Sequence, residues 1–348
     1  MKKVAIITMN GNDNYGNKLQ HIAVQTILEK KGVSVSTLAF WNYSRFEYFI
    51  KDKIKYITRS RYRHFKKFDK LIRYSKSIFY KNNKYKIDDT YDYYVVGSDQ
   101  VWNSTISSFR TFYLLDFVKN NNKKISFSAS FGTDFVLNNY IDDFKNYLKD
   151  FKYISVREDA GYKIVKELTG RTDSQVLLDP TMLLTADEWD HFAKKPKQYH
   201  GEKYILNYFL GELSDTRKKE IERVANKCGY KIINLLDPND PFNSSGPSEF
   251  LWLEKNASLI CTDSFHSSVF AVIYNRPFIV FDREQDNLKN LNSRIDTLIS
   301  KLNLKNRRFE ERVNEKNLNH DYTESYKILE SERNKSSLFL EDALSDYK

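Results

Sequence analysis

Only two cysteines, Cys228 and Cys261, occur in 348 residues. Neither belongs to a CxxC pair or a metal-type spacing. This excludes a disulfide-built scaffold and points to a reducing compartment. Proline and glycine are also scarce, at six and eleven residues, so the chain is neither linker-rich nor of low complexity. The six histidines, His21, His64, His191, His200, His266 and His320, show no ligand spacing, and no metal site is expected. HExxH, Walker A, GxSxG and kinase motifs are absent. No apolar run approaches the ~20 residues that span a bilayer. The opening Met1-Lys2-Lys3 with the short apolar run 4–9 imitates a secretion signal. That run is too short and ends in Asn10-Gly11-Asn12, so it reads as a first strand. The expected location is the cytoplasm.

What the chain does have is alternation. Short apolar strands are expected at 4–9, 33–39, 93–97, 124–129, 153–156 and 175–178, and a second series at 204–209, 231–236, 259–262 and 278–282. Amphipathic helices lie between them, for example at 18–31, 142–151, 159–169, 215–228, 248–256 and 293–302. This order implies parallel sheets with helices on both faces. Two series predict an α/β protein of two Rossmann-like domains. The boundary falls near Asp179-Pro180-Thr181, giving 1–184 and 185–348, with 318–348 as terminal helices.

The net charge of +10 is concentrated. Residues 45–86 hold fifteen Lys/Arg against Glu47, Asp52 and Asp69, a local balance of +12 that leaves the rest near −2. Aromatics interleave with this charge, and the segment reads as a basic helical insertion in the first domain. Three explanations compete. The first is nucleic acid, which no RRM or zinc-finger signature supports, so no nucleic-acid partner is expected. The second is an anionic membrane surface with aromatics at the interface. The third is a solvated helical pair whose aromatics are core, since Tyr62, Phe65, Phe68 and Ile72 fall at helical spacing.

Four loops follow strands and carry polar side chains. Asn14-Tyr15-Gly16-Asn17 opens a helix where a phosphate loop would lie, but its glycines do not match GxGxxG. It is an anion- or sugar-binding loop or an ordinary βα turn. Ser98, Asp99, Gln100 and Asn103 with Trp102 form a polar-aromatic cluster suited to sugar hydroxyls and a ring face. The alternative is a structural turn with Trp102 in the core. Arg157 emerges after the strand at 153–156, suited to a carboxylate or phosphate. Its alternative is a surface pair with Glu158 or Asp159. His266 falls in the first turn of a helix after the strand at 259–262, capped by Asp263 or Ser264. The helix dipole there lowers a histidine's pKa and suits it to proton transfer near pH 7. The plainer reading is a capped helix with a hydrogen-bonded histidine.

These motifs together resemble a family. Asn14 to Gln20, Val96 to Asn103, Ile154 to Asp159, Leu178-Asp179-Pro180-Thr181 and Thr262-Asp263-Ser264-Phe265-His266 occur in the order and spacing of the polysaccharide pyruvyl transferases. The resemblance implies two Rossmann-like domains facing a cleft, as in GT-B glycosyltransferases. It implies transfer of the enolpyruvyl unit of phosphoenolpyruvate to a sugar diol of a polysaccharide or lipid-linked precursor. The product is a pyruvate ketal, and no cofactor is needed. His266 takes the place of the catalytic histidine and Arg157 that of a donor-binding arginine, and Ser264 and Ser267, in the same turn as His266, are further donor-binding positions. Many members have arginine where this chain has Ser264, and Arg283 and Arg294 are the cations available to replace it. Asn14, Tyr15, Asn17, Ser98, Asp99, Gln100, Trp102 and Asn103 are the acceptor positions. A nucleotide-sugar glycosyltransferase and a non-catalytic glycan-binding protein are the alternatives. For an enzyme of lipid-linked precursors, 45–86 is the segment expected to touch the inner face of the membrane.

Overall fold

The computed structural model describes residues 1–11, 13–41, 45–80, 91–283, 293–313 and 315–345. The chain divides into two compact units. The first comprises Met1–Thr58, Asp69–Leu183 and Ser331–Lys348, and the second Arg59–Phe68 and Leu184–Glu330. Compared with a division into 1–184 and 185–348, residues 59–68 and the C-terminal 331–348 change sides.

Unit 1 is built on strands β1 (Lys3–Ile7), β2 (Ser34–Trp41), β3 (Tyr74–Tyr80), β4 (Tyr93–Val96), β5 (Lys124–Ala129), β6 (Tyr153–Val156) and β7 (Gln175–Val176). They pair in parallel in the order β3-β2-β1-β4-β5-β6-β7. A parallel sheet covered on both faces has no solvated side, so its strands read as unbroken apolar runs. β4, Tyr-Tyr-Val-Val, is buried throughout. Helix α1 (Tyr15–Lys30) begins at Asn14, whose side chain accepts the Asn17 N–H at 3.1 Å.

The predicted helical insertion 45–86 is corrected in part. α2 (Arg45–Thr58) and α3 (Ser60–Asp69) are helices, but β3 is the edge strand of the sheet, with Ala39 opposite Ile78. Lysines spaced through 70–86 disguise its short run of strand-forming residues. Residues 81–86 of the segment lie outside the described residues. α3 buries Tyr62, Phe65 and Phe68, so these aromatics are core. α4 (Ile141–Leu148) and α5 (Asp159–Thr169) are further helices of unit 1, whereas α3, apart from Asp69, belongs to unit 2.

Besides α3, unit 2 contains α6 (Ala186–Asp190), β8 (Tyr204–Tyr208), α7 (Asp215–Cys228), β9 (Lys231–Asn234), α8 (Pro247–Asn256) and β10 (Leu259–Thr262). It continues with α9 (Phe265–Ile273), β11 (Phe278–Val280), α10 (Ser293–Lys301), α11 (Glu315–Leu318) and the start of α12 (Thr323–Ala343). Its four strands are parallel in the order β11-β10-β8-β9. α9 is buried along its whole length and apolar nearly all round, as a core helix must be. The last turns of α12 belong to unit 1, where Phe339 stacks on Phe127.

Each sheet reverses its direction of strand addition once, between β1 and β4 in unit 1 and between β8 and β10 in unit 2. At such a point the flanking connections leave in opposite directions and open a crevice at the carboxyl ends of the strands, where ligands bind in this architecture. Among the described residues no helix is long and apolar enough to cross a membrane, and no group of His, Cys, Asp or Glu is placed to hold a metal ion.

The turn leaving β4 is tightly constrained. Gly97 has φ of 120°, and a Cβ there would lie 2.3 Å from the Phe127 carbonyl oxygen of β5. Gly97→Ala should therefore cost about 2–4 kcal/mol, through both backbone strain and the clash. Urea unfolding measures this, and a loss below about 0.5 kcal/mol would mean the turn is not constrained as described.

Candidate functional site

In unit 1 the crevice at β1 and β4 gathers several of the expected residues. Arg157, at the end of β6, is buried and pairs with Asp179 and, at 3.5 Å, with Asp99. Burial opposes its charge, but Asp179, Asp99 and Glu158 outweigh that and raise its pKa above the ordinary value. Asp179 also accepts from the Ser98 hydroxyl at 3.1 Å and from the Thr181 N–H and hydroxyl at 2.9 and 2.6 Å. Asp99 accepts from Asn17 Nδ2 at 3.2 Å. Asn17, Ser98, Asp99 and Arg157 thus form one network joining the ends of β1, β4, β6 and β7. Arg157 is not the solvent-facing cation expected of a donor ligand; two carboxylates already hold its guanidinium. Lys18 is likewise paired with Asp69, beside the Tyr74 hydroxyl.

Three acceptor candidates have other roles. Asn14 is the helix cap. Tyr15 is fully buried. Trp102 is a correction to the expected sugar platform. It is fully buried, its indole N–H donates to the Tyr113 carbonyl at 2.9 Å, and Phe131 and Phe151 pack on its ring. A polar loop beside a sheet needs an apolar anchor, and Trp102 supplies it. Gln100 and Asn103 hold each other at 2.6 Å, and Asn103 Oδ1 accepts from the Thr105 N–H and hydroxyl.

Sequence reasoning missed two residues here. Glu158, read as a surface partner of Arg157, is fully buried. Its Oε1 accepts from the Ser130 hydroxyl and from the N–H groups of Phe131 and Gly132 at 3.0, 2.7 and 3.1 Å, fixing the loop after β5. Asn10, at the end of β1, is buried with neither end of its amide hydrogen-bonded, and Asn17 Oδ1 is also unsatisfied. Buried polar atoms are rarely left so, and these lie at the switch point where a ligand hydroxyl would complete them. The Asn-rich loop was the available signal.

Unit 2 builds its site on Asp263, just after β10. Its carboxylate accepts from the N–H groups of Leu210 and Gly211 at 2.7 and 2.8 Å and from Arg283 Nε at 3.1 Å. One side chain therefore ties together the ends of β8, β10 and β11. Ser264 is the N-cap position of α9, and His266 lies in the first turn with its ring edge-on to Phe265, centroids 5.2 Å apart. Arg294, on α10, places its guanidinium over the Phe265 ring, 5.9 Å from the ring centre. The structure thus brings Ser264, His266, Arg283 and Arg294 to one edge. Ser267 is a second correction: its hydroxyl donates into the core, to Glu254 Oε1 at 2.6 Å. Glu254 is fully buried on α8, and burial pushes its carboxyl well above the ordinary range, against the hydrogen bond from Ser267. A cavity of about 310 Å³ in unit 2, beside Asn207 and Asn234, includes none of these residues.

Architecture and crevices define the class: a two-unit, Rossmann-like α/β protein of the GT-B type. Solved structures agree. The UDP-GlcNAc 2-epimerase of Neisseria meningitidis bound to UDP-GlcNAc superposes with a TM-score of 0.51 at 11% identity, covering 99% of each chain. That of Methanocaldococcus jannaschii gives 0.52 at 13% identity, covering 94% of this chain and 92% of that one. At such identities the likeness is one of fold. No curated protein sequence matches the chain. Residues 14–285 match the polysaccharide pyruvyl transferase family, and the protein belongs to it.

Two outcomes test these networks. Asp179→Ala removes the closest carboxylate from the buried Arg157 and should cost about 3–5 kcal/mol in urea unfolding, whereas Arg157→Met with Asp179→Leu should recover most of it. A double variant as unstable as the single one would contradict the ion-pair account. The second concerns Glu254. Its folded pKa lies above its unfolded value, so its contribution to stability is full below the unfolded pKa, near about 4.3, and falls as pH rises toward the folded one. Glu254→Gln removes this titration. Its stability relative to wild type should climb with pH across that window, by up to about 1.4 kcal/mol per pH unit. Denaturation at pH 5 and pH 8 reads the difference, and equal values at both would show that Glu254 is ionised in the fold.

Proposed function

We propose that this protein transfers the enolpyruvyl unit of phosphoenolpyruvate to two hydroxyls of a sugar in a polysaccharide or glycolipid precursor, forming a pyruvate ketal and releasing phosphate. The observation that carries the reading is the edge of unit 2. A chain of this family sets a histidine in the first turn of a buried helix, beside Arg283 and Arg294.

The chemistry fits those side chains. Phosphoenolpyruvate brings a carboxylate and a phosphate, and two arginines beside a helix N-terminus offer matching charge. Arg283 is oriented through its Nε by Asp263, which leaves the outer face of the guanidinium for an anion. His266 donates a proton to the methylene carbon, which becomes a methyl group. The neighbouring carbon gains cationic character, and a sugar hydroxyl bonds to it and gives up its proton. The bond to the phosphate oxygen then breaks, phosphate departs, and a second hydroxyl closes the ketal with loss of its own proton. The steps require proton transfer and charge stabilisation, and no redox cofactor. Ser264, where many members have arginine, leaves Arg283 and Arg294 as the donor cations. The acceptor hydroxyls are assigned to unit 1, to Asn10 and Asn17 with Ser98, Asp99, Gln100 and Asn103 around them. The reaction would run in the cytoplasm, where phosphoenolpyruvate is made.

Phosphate release from phosphoenolpyruvate over a panel of sugar diols tests the reading. His266→Ala should lower kcat by about 10²–10⁴ while the donor's Kd moves by less than about threefold. A wild-type rate in that variant would remove His266 from the chemistry.

A further inference from the structure

Helix α2 presents an apolar face to solvent. Phe46 is 74% exposed, Phe49 67%, Ile50 40% and Ile54 56%. Spaced at three and four residues, they share one side of the helix, and Ile57 continues the stripe one turn further at 67% exposure. Exposed large apolar residues are unremarkable when scattered, but a contiguous stripe marks a surface that something covers. Elsewhere among the described residues the exposed large apolar side chains are the neighbours Phe135 and Leu137 and scattered positions such as Leu71, Leu210 and Leu338, none of them a helical stripe of this length.

The charge of the helix says what covers it. α2 carries Arg45, Lys51, Lys53 and Lys55 against Glu47 and Asp52, and Lys51 and Lys53 are exposed. The segment 45–86 as a whole holds +12 while the rest of the chain is near −2. Lys53 lies within the apolar stripe, where its four-carbon stem can run along the apolar side chains and carry the ammonium outward. An apolar stripe with interleaved lysines is the pattern of a helix lying in the plane of a membrane interface, its apolar side chains among the acyl chains and its cations among anionic headgroups. A protein partner would have to match both this stripe and the charge, whereas an anionic bilayer matches them without further design. Off the stripe, Lys55 pairs with Asp13 at 3.1 Å and ties α2 to the loop after β1.

We propose that α2 docks the protein reversibly on an anionic lipid surface, with Phe46, Phe49, Ile50 and Ile54 entering the interface. The assignment rests on the face of α2 and is independent of the reaction. It narrows the broad basic segment to one helix, because the aromatics of α3 are core.

Co-sedimentation of the full-length protein at low salt decides it, using phosphatidylcholine vesicles with and without about 30 mol% phosphatidylglycerol. Wild type should pellet with the anionic vesicles and stay in solution with the neutral ones. The triple variant Phe46→Ser, Phe49→Ser, Ile54→Ser changes only exposed positions and should keep the wild-type circular dichroism. Its bound fraction should fall about tenfold or more. Equal recovery of wild type with both vesicle types overturns the proposal. So does undiminished binding of the triple variant, which would leave charge alone responsible. If sedimentation velocity shows a wild-type dimer that the triple variant dissolves, with no vesicle binding, the stripe is a self-association surface and the proposal fails.

Discussion

A cation buried at the edge of a parallel sheet organises unit 1. Arg157 has almost no contact with solvent, so its charge is tolerable only with carboxylates beside it. Asp179 and Asp99 supply them, and each brings further groups: Ser98 and Thr181 on one, Asn17 on the other. The ends of four strands are thereby locked into one polar network. The requirement to pair one charge fixes where the loops after β1, β4, β6 and β7 can lie, and the candidate acceptor residues stand on those loops.

Unit 2 meets the same geometric problem with the signs reversed. There the central group is an anion, Asp263, and the partners are two backbone N–H groups and Arg283. Both devices sit at the point where strand order reverses, where loops diverge and would otherwise be loosely held. Behind Asp263, the fully buried helix α9 gives His266 a rigid base, and the Glu254–Ser267 contact ties its first turn to α8. A side chain on a core helix has little freedom to stray, which is what the proposed proton transfer by His266 would require.

Much of this was legible in the sequence because it depends on local pattern. Helix–strand alternation follows from unbroken apolar runs and 3.6-residue periodicity, and α5 and α7 match their expected bounds of 159–169 and 215–228. Motif order likewise located every loop at a sheet edge. What was not legible depends on partners distant in sequence. Nothing near Trp102 says that Phe131 and Phe151 enclose it. Nothing near Arg157 says that Asp179 pairs with it. Glu158 was misread because its neighbour in sequence is a cation, while its partners are the N–H groups of a loop after β5. β3 was missed because its strand signal is short and its surroundings are rich in lysine.

The central claim is that the arginines and histidine at the edge of unit 2 are arranged for a small double anion. Ligand-induced stabilisation tests it most directly. Phosphoenolpyruvate at 100 times its Kd should add about 2.7 kcal/mol to the wild type, and the gain should shrink in Arg283→Ala. Stabilisation by a nucleotide sugar, with none from phosphoenolpyruvate at any concentration, would contradict the account.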